Sequence, residues 1–163
     1  MRMRIVVADQ SEADFYGLER PDEAPQFIGR LLDPTAYLHD RDLGTDRPGR
    51  VFDHASGPGR RGPAARHATG GERHPRKIEA QRFARKIASA LVRARRRYAF
   101  DWLVVMAGPG FLGLLRNAMP PALRALVAAE ITKDLVHEPP SVVQWYLPTG
   151  AFSVRPITER RRS

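Results

Sequence analysis

The chain has 163 residues, of which 42% are hydrophobic, 27 are basic and 18 acidic, for a formal net charge of +9, and it has no cysteine. That length is a prior for one domain around a single core. The absence of cysteine excludes disulfides, zinc–thiolate sites and cysteine nucleophiles, and it fits a reducing compartment.

The opening stretch MRMRIVVADQSEADF turns acidic too quickly for a secretory signal, and no apolar run reaches the roughly 18 residues of a membrane-spanning helix. A cytoplasmic protein with no transmembrane segment is therefore expected. Ile5, Val6, Val7 and Ala8 form an apolar run too short for a helix, and Asp9-Gln10-Ser11 ends it, so the first element reads as a strand. The stretch ADFYGLE follows with aromatic, β-leaning content and completes a hairpin. QFIGRLLD fits a third strand, stopped at Asp33-Pro34, or a turn of helix through Phe27, Ile28, Leu31 and Leu32.

From about Pro34 to Pro75 periodicity vanishes. So long a segment without pattern is functional or disordered in a small domain. The next stretch restores the helical period. Phe83, Ile87, Leu91 and Ala94 recur on one face of RKIEAQRFARKIASALVRARRR, and Arg82, Lys86, Arg93 and Arg96 line the other, with Ser89 between them. FDWLVVMAG reads as a strand buried on both faces, because Trp102 to Met106 run without alternation. GPG at 108–110 breaks it; the glycine spacing is wrong for a dinucleotide loop, and a strand-to-helix turn is the better account. FLGLLRNAM predicts a short helix. PALRALVAAEITKDL predicts another, with Pro121 in its first turn, Leu123, Val127, Ile131 and Leu135 on one stripe, and Glu130, Lys133 and Asp134 as cap and surface charges. SVVQWYL fits a helix capped by Ser141 or an edge strand. The order implies an α/β domain over 1–147: a small mixed sheet that begins as a hairpin meander and receives a later strand through a crossover helix. Residues 148–163 read as a basic, mobile tail.

The charge is local. Residues 1–40 hold four basic and eight acidic side chains, residues 41–97 hold sixteen and five, and residues 98–163 hold seven and five. A concentrated cationic segment attracts polyanions, whereas charge that serves only solubility is mixed in sign. Within the segment, Arg47, Arg50, Arg60 and Arg61 alternate with Gly44, Gly49, Gly57 and Gly59. Glycine lets backbone N–H groups approach an anion, and arginine offers planar bidentate donors to phosphate. Pro48 stiffens the run, Phe52 pins it to the core, and Asp46 and Asp53 admit a second reading, a packed loop frozen by Arg–Asp pairs. On the helix, Arg82, Lys86 and Arg93 have Glu79 as the one acidic neighbour between Arg73 and Arg97, which favours anion binding over a solvated face.

No constellation requires an enzyme. His39, His54, His67 and His74 match no metal-ligand spacing, Ser56 and Thr45 have no base beside them, and no cofactor or metal is implied.

Several stretches together, GTDRPGRVFD…GPGR, QRFARKIASAL, FDWLVVMAGPGFLGLLR and VAAEITKDL, resemble the bacterial family of proteins required for attachment to host cells, over about residues 3–138. The run from Thr45 to Asp53 carries most of that resemblance. The insert RRGPAARHATGGERHP and the tail after Pro140 depart from it. A fainter resemblance leads to the middle domain of archaeal and eukaryotic peptide release factors, a ribonuclease-H-like sheet with a basic glycine loop ahead of an Arg-Phe-Ala-Arg helix. Gly70-Gly71 and Arg82-Phe83-Ala84-Arg85 keep that order, but Glu72 stands where those factors carry glutamine. A carboxylate is repelled by phosphate and offers no amide donor, which argues against peptide release by that route. The leading reading is a non-enzymatic member of the host-attachment family that contacts RNA, as tRNA or the ribosome, through its basic loop and helix; the family resemblance implies a role in attachment, which without an export signal is indirect. Hydrolysis of peptidyl-tRNA and adhesion to acidic host polysaccharide are the alternatives.

Overall fold

The structure, a computed structural model, describes residues 2–20, 22–35 and 73–148, apart from the side chains of residues 73–75. The long loop expected at 34–75 and the tail at 148–163 fall almost wholly outside the described residues. Five strands form one mixed sheet: β1 (Met3–Ala8), β2 (Glu12–Leu18), β3 (Gln26–Leu32), β4 (Trp102–Ala107) and β5 (Val127–Thr132). Their spatial order is β3-β2-β1-β4-β5. β1 pairs antiparallel with β2, β2 antiparallel with β3, and β4 lies parallel to both β1 and β5. This is the mixed sheet with a hairpin meander that the sequence implies.

The hairpin turn is built by Asp9. Its carboxylate Oδ1 accepts from the Ser11 N–H (2.7 Å), the Ser11 hydroxyl (2.8 Å) and the Glu12 N–H (2.8 Å). Such local bonding to the side chain is why Asp-x-Ser stops a strand.

The central strands are buried on both faces, as their unbroken apolar runs require. On one side, Val6, Ala8, Leu103, Val105 and Ala107 pack under two helices, α1 (Arg73–Arg96) and α2 (Pro109–Ala118). Those helices contribute Phe83, Ile87, Leu91, Phe111, Leu112 and Leu115 to the cluster. On the other side, Ile5, Val7, Trp102, Val104 and Met106 meet Leu135 and Val143, the latter from α4 (Pro140–Trp145). The α1 crossover carries the chain from the edge strand β3 past β2 and β1 to β4. Gly108 is the N-cap of α2 and Pro109 opens it, so the GPG run is a strand-to-helix turn. β3 is a strand rather than a turn of helix, and as an edge it leaves Phe27, Ile28 and Leu32 half exposed.

The helix predicted over 121–135 does not exist. Pro121–Arg124 make a single turn, α3, and the chain then enters β5. The Leu103 N–H donates to the Leu126 carbonyl at 2.9 Å, and β5 continues along the open edge of β4. A helix there would leave the outer N–H and C=O groups of a fully buried strand unpaired, and that cost outweighs the alanine-rich propensity of LVAAE. SVVQWYL resolves as helix, but Pro139 rather than Ser141 occupies the cap position of α4.

Candidate nucleic-acid interface

α1 divides into two faces. Ala80, Phe83, Ala84, Ile87, Ala88 and Leu91 are buried against the sheet and α2. Arg82, Arg85, Lys86, Ser89, Arg93 and Arg96 are exposed on the opposite side. At about 100° per residue they fall within an arc of about 100°, and from Arg82 to Arg96 the stripe runs about 21 Å along the axis. Burial of one apolar face thus presents the cations in a line, because both sets share the helical period.

Beside this stripe lies a cleft of about 470 Å³ between α1 and the end of α2. Arg85, Ser89, Arg93 and Arg96 line one wall, and Ala88, Val92, Ala118 and Pro120 supply its apolar surface. Its arginines offer planar, bidentate donors to an anion lodged there.

Outside α1, Arg2, Arg30 and Arg116 are paired with carboxylates, whereas Arg4 and Arg124 hold no ion pair among the described residues. Arg2 donates its backbone N–H to Asp101 at 2.9 Å and brings its guanidinium to 3.6 Å. That backbone hydrogen bond is the main reason the Asp101 carboxyl sits below its usual range. Arg116 of α2 bonds both oxygens of Glu130 on β5, and hydrogen bonding to that carboxylate raises its guanidinium pKa. Arg30 chelates Asp14. Among the described residues, Arg82, Arg85, Lys86, Arg93 and Arg96 hold no ion pair.

Of the anion-binding residues read from the sequence, Arg82, Lys86 and Arg93 come together on this face. Arg47, Arg50, Arg60 and Arg61 lie outside the described residues, as do Gly44, Asp46, Pro48, Gly49, Phe52, Asp53, Gly57 and Gly59 and the paired glycines before Glu72. His39, His54 and His67 fall outside as well, and so does the side chain of His74. Arg85 belongs to the cleft although the sequence pattern had not placed it in the cationic line.

A polar network under the opposite face went unread in the sequence. Glu12, Asp14 and Tyr16 alternate along β2 and are buried. Arg30, opposite Asp14 in the β2–β3 register, also comes within 3.7 Å of Glu12, and His137 Nδ1 lies 3.2 Å from the same Glu12 oxygen. Burial, reinforced by the Asp14 charge, pushes the Tyr16 hydroxyl above its ordinary value. The signal was available in the alternation: acids at every second position of a strand share one face.

Among the described residues, no helix is long and apolar enough to cross a membrane. No curated protein matches the chain. A solved structure described as "Archaeal protein" aligns with a TM-score of 0.41 at 10% identity, covering 88% of this chain and 35% of that one. This chain therefore spans about a third of that protein's length. The family described as "Protein required for attachment to host cells" matches residues 4–147. A match across nearly the whole described sheet and its helices shows that the chain belongs to this host-attachment family.

Proposed function

We propose that this host-attachment-family protein binds RNA, as tRNA or ribosomal RNA, through the outward face of α1 and the cleft beside it. One observation carries the reading: Arg82, Arg85, Lys86, Arg93 and Arg96 are exposed in one line along α1, and none of them holds an ion pair among the described residues. Phosphates supply the missing charge at a spacing a helical row of cations tracks. Arg47, Arg50, Arg60 and Arg61 extend the same surface in this proposal, and the role in attachment is indirect, through the bound RNA.

Binding of this kind is read in its salt dependence. With about five phosphate contacts, and a slope of about −0.7 per contact on a single strand, each doubling of salt weakens binding about tenfold. The experiment isolates the protein from cells at low salt and measures nuclease-sensitive nucleic acid that travels with it, then titrates purified tRNA at several salt concentrations. Copurified RNA and a steep slope that flattens when Arg82, Lys86, Arg93 and Arg96 are neutralised together support the proposal. Binding to RNA that survives that neutralisation overturns the site, and preference for an acidic polysaccharide over RNA at equal salt overturns the ligand.

A further inference from the structure

The last turn of α1 closes in a way that leaves a residue conspicuously placed. The Ala99 N–H donates to the Ala94 carbonyl at 3.1 Å, and the Tyr98 N–H donates to the Arg95 carbonyl at 2.9 Å. These are the paired bonds of a Schellman motif, which requires a left-handed residue just beyond the helix. Tyr98 fills that position with φ of 53°. Glycine takes it without steric penalty, while a tyrosine there crowds its own backbone.

No packing within the described chain repays this. Tyr98 is 71% exposed. Its ring joins none of the aromatic or cation–π contacts among the described residues. The motif is nevertheless held firmly: Arg95 Nη1 donates to the Phe100 carbonyl at 3.0 Å, directly after the turn. Arg96 and Arg97, immediately before the ring, are exposed. An aromatic face is thus presented to solvent, on a rigid turn, where the cationic stripe ends.

We infer that Tyr98 is a stacking platform for an unpaired base, which makes the preferred ligand single-stranded RNA rather than a duplex. The inference rests on the reading of α1 as an RNA-binding face. Cations along the helix track the backbone, and a flat ring at the end of the row takes a base that is free of its own stack; this combination marks single-strand binders. A duplex offers its phosphates to the same cations but keeps its bases stacked out of reach of the ring.

The test compares a labelled single-stranded oligoribonucleotide of about 16 nucleotides with an RNA duplex of about 16 base pairs, by fluorescence anisotropy at equal salt. The unmodified protein is measured beside Tyr98→Gly and Tyr98→Phe. The expected result is tighter binding of the single strand, a loss of about tenfold for it in Tyr98→Gly, no change for the duplex, and full retention in Tyr98→Phe. Thermal unfolding of Tyr98→Gly keeps or raises its midpoint, since glycine relaxes the left-handed turn, so weakened binding is not lost folding. An unchanged single-strand affinity in Tyr98→Gly overturns the platform, and equal affinity for both ligands overturns the single-strand preference. Failure of the unmodified protein to bind either RNA overturns instead the underlying reading of α1.

Discussion

Asp14 and Arg30 face each other across the β2–β3 register, and the guanidinium grips the carboxylate twice, Nε to Oδ1 at 2.6 Å and Nη2 to Oδ2 at 2.8 Å. Asp14 is buried, with a side chain 3% exposed, whereas that of Arg30 is 40% exposed. Breaking a fully buried ion pair costs about 3–5 kcal/mol. Solvent at Arg30 lowers that figure, so Arg30→Ala is expected to destabilise by about 2 kcal/mol. Chemical denaturation checks it, and the Asp14→Ala, Arg30→Ala double variant is expected to lose less than the sum of the single changes.

The α1–α2 layer depends on large buried side chains. The Phe83 and Phe111 ring centroids are 6.1 Å apart, and Phe83 is fully buried. Phe83→Ala is expected to cost about 3–5 kcal/mol by leaving a cavity under α1. A denaturant midpoint shifted by less than about 1 kcal/mol would show that the layer collapses into the space.

Charge changes on the outward face of α1 are expected to behave in the opposite sense. Arg82→Glu and Lys86→Glu touch no ion pair among the described residues, so each alters stability by less than about 0.5 kcal/mol. Under the proposed RNA-binding role, each is expected to reduce the salt slope by about 0.7, the share of one phosphate contact on a single strand. Stability and salt-dependent binding measured on the same samples separate this from damage to the fold.

Glu130 carries a pH signature. Hydrogen bonding from Arg116 holds its carboxyl below the ordinary value of 4.5, against an opposing effect of burial. A depressed folded-state value means the stabilisation is fully present above about pH 4.5 and is lost as pH falls through the lower folded value. Glu130→Gln is therefore expected to lower the unfolding midpoint at neutral pH and to flatten its decline in acid. A midpoint–pH curve parallel to that of the unmodified protein would remove the Arg116–Glu130 pair from the account.

Gly17 tests how tightly the edge of the sheet is packed. A Cβ there would sit 2.9 Å from Ile28 Cδ1, the far end of a flexible side chain that is about half exposed. Ile28 can turn away, so Gly17→Ala is expected to change stability by less than about 1 kcal/mol. A larger loss in thermal unfolding would mean that Ile28 is held in place.

Much of the fold was legible because its signals are local. The apolar run at Ile5–Ala8 marks a strand and that at Trp102–Met106 a strand covered on both sides, and the structure has a strand at each, the second buried as expected. The period of Phe83, Ile87 and Leu91 fixes both the helix and the opposite face, so the line of Arg82, Lys86 and Arg93 followed from the same count. Arg85 was less legible, because its place in the cleft depends on where Ala118 and Pro120 lie.

What the chain determines by itself, then, is the alternation and period of its apolar residues, the concentration of charge in its middle third, and the family to which it belongs. The tertiary structure decided the rest. LVAAE carries a helical pattern, yet the unpaired edge of β4 drew it into a strand, since backbone groups at a buried edge must find partners. Asp14 met Arg30, and Tyr98 was set in its left-handed turn, through contacts and bonds that no local period encodes. Pattern reports the environment a residue prefers; only the assembled sheet determines which distant group completes it.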